Sequence, residues 1–268
     1  MLGRAVGFDS ERTGGMMTDL DRRKASDRRA RPGRVALVSI LVSLACASLG
    51  CASRGIIVST SAGSLENPPE GPAVLVREVR DARVFQETAN RKQTPSLTGD
   101  ARAPGARARA VGRQTNAAGR PGANVMLAAG QSVESLVGDA VARALRGAGF
   151  RVVQAGDADL AAARRLDVSI EELWMWETVP SMGAVTNVRL RVRLSGPLPA
   201  LEAGEAIEAG HKLVSGGFTY DMWRQTLERG LDEWTQRAEG RLSEVRRAVP
   251  AGASGDAPAQ SAAASAAR

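Results

Sequence analysis

The run from Val188 to Leu194 sets the strongest limit on how this chain folds. Val188, Leu190, Val192 and Leu194 alternate with Arg189, Arg191 and Arg193. Successive side chains of a strand point to opposite faces, so one face here is aliphatic and the other is a row of guanidinium groups. A sheet containing this strand has one face to bury and one face in water, the habit of antiparallel pairing. Cover for the dry face lies on both sides in sequence. After Ser132, which is placed to cap a helix, Val133, Leu136, Val137, Ala140, Val141, Ala144 and Leu145 recur at helical spacing. Glu134 in the first turn and Arg146 in the last suit the helix dipole, and Gly149 supplies a stop. A second seam runs through Trp223, Leu227, Leu231, Trp234, Ala238, Leu242 and Val245, with Asp221 as its expected cap.

Further strands are expected at Ala73–Val79, at Phe150–Val153 and, more weakly, at His211–Thr219. Leu166, Val168 and Ile170 alternate with Asp167 and Ser169, and the run continues to Trp176. Glu171-Glu172 breaks the alternation at a place suited to a bulge. Residues 86–124 are rich in Arg, Pro and Gly without a period of 2 or 3.6, and read as a long basic loop. Residues 196–210 read as a turn and an acidic connection. The expected architecture is a two-layer α/β sandwich, with a mixed, partly antiparallel sheet of about four to five strands and two amphipathic helices on one face.

A different signal governs the N-terminal part. Residues 1–34 are basic, and an uncharged run, Val35 to Gly50, follows. Sixteen uncharged residues are short of the roughly 20 that span a bilayer, and they suit a signal-peptide core. The start at Met1 is one choice; Met16 and Met17 are the others, since residues 1–15 add nothing a leader needs. The run closes on Ser48-Leu49-Gly50-Cys51, which resembles a bacterial lipobox, with Ser48 in place of the usual leucine. That resemblance implies diacylglycerol on the Cys51 thiol, cleavage before it and acylation of the new N-terminus, with palmitate among the acyl chains. Cys46 is the rival, in Ser43-Leu44-Ala45-Cys46, but it shortens the apolar run and leaves Leu49 behind in the mature chain. An uncleaved signal anchor is the other alternative. Ala52 and Ser53, rather than an aspartate, follow Cys51. For lipoproteins this implies the outer membrane, facing the periplasm. Residues 51–72 then read as a lipidated tether, 73–249 as a periplasmic domain and 250–268 as a disordered Ala-rich tail.

Chemistry is sparse. The single histidine, His211, limits any Ser-His-Asp arrangement, and no Gly-x-Ser-x-Gly elbow occurs. One histidine and two cysteines exclude Cys/His metal sets, no phosphate-cradling loop opens a helix, and no cofactor is expected. The net charge is +7, of which residues 1–50 supply +4. The basic balance is therefore largely that of the leader, and export removes the chain from nucleic acid. Candidate contact residues are Trp174 and Trp176, which period 2 places on one side, and Arg189, Arg191 and Arg193. The tryptophans either pack under a helix or form a platform for glycan or protein. The arginines either pair with Glu on a neighbouring strand or bind anionic lipid or cell-wall polymer.

Ser132–Val153, Leu166–Trp176, Asn187–Leu194 and the stretch from Gly216 through the last helix together resemble the YajG-type family of bacterial lipoproteins. Ala144-Leu145 followed by Ala148-Gly149-Phe150 is the most distinctive segment. The likeness covers residues 73–248; the Pro/Arg segment 86–124 and the tail depart from it. Auxiliary lipoproteins of ABC-type lipid transporters are similar at this level. The resemblance implies a periplasmic α/β domain and transfers no catalytic residue. The expected role is non-catalytic binding, assembly or transport assistance in the envelope, acting through the membrane anchor and envelope partners. The alternative is an envelope hydrolase using His211.

Overall fold

A computed structural model describes residues 55–249 apart from 60–66, 69, 88–90, 98–103, 116–119, 179–182 and 218. Cys46, Cys51, the basic and uncharged segments 1–50 and the tail 250–268 lie outside the described residues. The chain is a two-layer α/β sandwich with a mixed sheet and both long helices on one face. Its elements are β1 (Ala73–Asp81), a single helical turn α1 (Pro104–Arg107), β2 (Ala110–Thr115), β3 (Pro121–Met126), α2 (Val133–Gly147), β4 (Arg151–Val153), β5 (Arg164–Thr178), β6 (Ala184–Ser195), β7 (Glu205–Ser215) and α3 (Tyr220–Ala248).

The spine is β5. One edge pairs antiparallel with β6, which pairs antiparallel with β7. The other edge carries two strands end to end. β1 runs parallel to Arg164–Ile170, and β2 runs parallel to Met175–Trp176. β4 lies outside β1 and β3 outside β2. Between β1 and β2 the edge of β5 has a gap, and the buried Arg83 guanidinium fills it. Nη1 donates to the carbonyls of Ala110 (2.6 Å) and Leu173 (3.2 Å), and Nη2 to that of Arg107 (2.9 Å). Nε and Nη2 also donate to the Asp81 carboxylate at 2.8 and 2.7 Å. All five N–H groups of the guanidinium are thus used, a fit its planar fork makes possible.

Both helical stripes are buried as the spacing requires. Ser132 caps α2, accepting from Ser135 N–H at 3.0 Å. After α2, Phe150 N–H donates to Leu145 O and Gly149 N–H to Arg146 O, closing the helix end. The register of β5 against β6 slips between Ile170 and Glu172, making Glu171 the extra residue of a bulge. Leu166, Val168 and Ile170 face the helices before it, and Leu173 and Met175 after it. Trp174 and Trp176 are thereby turned to the face away from the two long helices.

Four expectations are corrected. Among the described residues the sheet has seven strands rather than four or five, because the segment 86–124 is not one loop: it contains β2 and the start of β3. Gly112 permits this, since a Cβ there would lie 2.7 Å from the Met175 carbonyl oxygen. Pro121 is tolerated at the first position of β3. β7 begins at Glu205 and ends at Ser215, so the acidic connection is half strand and the pairing stops short of Thr219. Thr219, not Asp221, caps α3, accepting from Met222 N–H at 3.2 Å. Asp221 stands in the first turn, and the Arg224 guanidinium holds its carboxyl below the usual range. The expected tether 51–72 is, in its described part, folded: Ile56 and Val58 belong to the core, and the Asn67 side chain pairs with both backbone groups of Val152.

Candidate interaction surface on the open sheet face

With both long helices on one side, the strands present their polar residues on the other. The stripe on β6 meets carboxylates from both neighbours. Arg193 Nε lies 2.6 Å from Glu171 Oε1, and Arg191 Nε lies 2.7 Å from Glu171 Oε2. Arg191 Nη1 also reaches Glu208 on β7 at 3.0 Å, and Arg189 reaches Glu172 at 3.3 Å. The bulge makes this possible. It brings two consecutive carboxylates, Glu171 and Glu172, to the same face, where regular alternation would separate them. Their environments differ. Arg193 and Arg191 hold the Glu171 carboxyl below the ordinary value, while burial pushes Glu172 up against the pull of Arg189.

The two tryptophans separate in role. Trp174 is completely buried, in a small second core with Leu97, Ala110 and Met126, and Phe85 stands edge-on to it at 6.0 Å. Its indole N–H donates to Lys92 O at 3.2 Å. The cover is therefore Phe85, the Lys92 backbone, Leu97 and Ala106 of the short turn α1 rather than either long helix, and Trp174 offers no surface to a partner. Trp176 is half-buried, with the Arg189 guanidinium carbon 5.4 Å above its ring. Beside it in register is Arg113 of β2, whose guanidinium burial holds below its usual value.

The sequence did not point to the cleft that borders this stack. Arg91, Gln93, Thr94 and Pro95 on one side and Glu172 and Arg189 on the other enclose about 480 Å³. Its lid half lies in the segment whose composition reads as loop, and only the fold places it over β5. His211 sits on β7 with Nδ1 3.7 Å from Glu233 of α3. Among the described residues no group of three or more His, Cys, Asp or Glu is arranged to hold a metal ion. Among them, too, no helix is long and apolar enough to cross a membrane.

No family model and no curated protein matches the chain. Among solved structures, one titled "Crystal structure of uncharacterized protein" is similar at 12% identity and a TM-score of 0.33, covering 72% of this chain and 99% of that one.

Proposed function

We propose that this chain is a lipoprotein of the bacterial envelope, anchored through acyl chains on Cys51 at the outer membrane, whose domain binds a partner through the open sheet face. On this reading the domain is non-catalytic and serves assembly or transport. It is the role implied by the resemblance to YajG-type lipoproteins. The anchor draws its support from the basic segment, the uncharged run and the polar turn after Cys51. The open face carries the binding reading. Its arginines stand on a strand paired along both edges, themselves ion-paired yet partly exposed, next to a cleft and a guanidinium–indole stack. Arginine and aromatic groups so presented are the usual anchors of protein contacts. They equally suit the carboxylates or phosphates of an envelope polymer or lipid.

Crosslinking in intact cells, followed by mass spectrometry, tests this. The wild-type chain is expected to capture envelope components that an Arg189→Ala/Trp176→Ala variant of unchanged thermal stability does not. Equal capture by both chains sinks the reading of the face. The anchor is tested apart from it: unchanged mass and unchanged membrane association after Cys51→Ser exclude acylation there.

A further inference from the structure

Cys51 is separated from Gly55, where the described domain begins, by four peptide units, which reach about 14 Å at full extension. From Gly55 the chain is held at once. Ile56 N–H donates to Met126 O at 2.8 Å, and Ala128 N–H donates to Ile56 O at 2.9 Å. The Gln131 amide brackets Val58, accepting its N–H at 3.1 Å and donating to its carbonyl at 2.7 Å. Ser59 N–H donates to Glu228 on α3. Between the buried Ile56 and Val58, Ile57 points outward and is 67% exposed. Alongside runs the turn Ala128–Gln131, whose exposed residues Ala129 and Gly130 are small and uncharged. An exposed isoleucine and an uncharged turn therefore lie within one short extended segment of the acyl position.

We propose that this end of the domain is a bilayer-contact surface, with Ile57 and the Ala129–Gly130 turn entering the headgroup layer, so that the domain sits flush on the membrane rather than on a tether. The proposal rests on acylation of Cys51. Isoleucine gains by leaving water, and the acyl chains supply the effective concentration that lets so small an apolar contact form. The far end of α2, about 22 Å away along its axis, then points from the bilayer. Glu70 marks that end: it is exposed and precedes Gly71, whose Cα abuts the Gly149 backbone.

The purified mature lipoprotein is placed in phosphatidylethanolamine–phosphatidylglycerol vesicles containing lipids with nitroxide headgroups. Ala129→Cys and Glu70→Cys each carry an environment-sensitive maleimide dye. Dye at 129 is expected to be quenched and dye at 70 to stay bright. Adding Ile57→Asp to Ala129→Cys restores fluorescence while the protein stays in the vesicle fraction. Equal quenching at 129 and 70, or quenching indifferent to Ile57→Asp, overturns the proposal. A wild-type chain that itself takes up dye has a free Cys51, which removes the anchor and the proposal together. That result is read before any quenching is measured.

Discussion

The two faces of the sheet meet the same strands and solve different problems. On the helix side, α2 and α3 cover an unbroken aliphatic surface, from Val74 and Leu166 through Val188 and Leu194, and the work is done by exclusion of water. On the open side, the apolar cluster is the small island around Trp174, and beside it runs a ladder of guanidinium and carboxylate groups. The one-residue bulge at Glu171 joins the two solutions within a single strand. Upstream of it the odd-numbered residues of β5 lie on the open side of the sheet; downstream, the even-numbered ones do. Without the extra residue Leu173 and Met175 would leave the main core, and the tryptophans would enter the space under the helices. The contrast teaches that the faces differ in kind of interaction, and substitutions on them should separate by magnitude.

The largest effect is expected where the open side meets the sheet itself. Arg83→Met strands Asp81 and takes donors from two buried carbonyls and a part-buried one, and it is expected to cost about 3–5 kcal/mol. Urea denaturation measures this through the midpoint at unchanged slope. A cost below about 1 kcal/mol, the worth of a surface pair, would show that water fills the gap equally well. Next, Trp174→Phe keeps most of the island's packing but deletes the N–H to Lys92 O, a loss of about 1 kcal/mol for that hydrogen bond plus the smaller ring's unfilled space. Trp176→Phe, at a half-buried position, is expected to cost less by the same measurement. If the two cost the same, the island is no second core.

How far the residues announced this fold follows from the range of their contacts. The helix stripes and the alternation of β5 and β6 are local patterns, and they stand in the structure where the periods place them. β2 and β3 carry Gly112, Arg113, Pro121 and Gly122. They are strands because Met175, Trp174 and Leu97 close on them from elsewhere in the chain, so no window of their own sequence encodes the pairing. The same holds for Ile56 and Val58, whose partners Leu127 and Gln131 lie about seventy residues away. Of the candidate site, the arginine stripe and its pairing with glutamate on a neighbouring strand were legible, though not which glutamates, and so was the shared side of the two tryptophans. Which side that is depended on the bulge, and the depth of Trp174 on a lid with no period.

The smallest effects belong to the ladder. Arg191→Ala is expected to change stability by about 0–1 kcal/mol, and less in high salt, because both partners are partly exposed. The sharper experiment compares the two bulge carboxylates by pH. Glu171 is held below the ordinary carboxylate value by Arg193 and Arg191, so its folded pKa is depressed. Its contribution is present above the unfolded value and is lost as pH falls through the folded one. Glu171→Gln should therefore destabilise at neutral pH and converge on wild type in acid. Glu172 is raised, burial outweighing Arg189, so its ionised form weakens the fold as pH climbs from the unfolded value through the folded one. Glu172→Gln should then match wild type in acid and gain on it toward neutrality. Denaturation midpoints across the acid limb give both curves. Adjacent residues would titrate stability in opposite senses because one faces two guanidinium groups and the other lies under the lid of the cleft. If both variants move the same way, the two carboxylates share one environment and the bulge does not divide them.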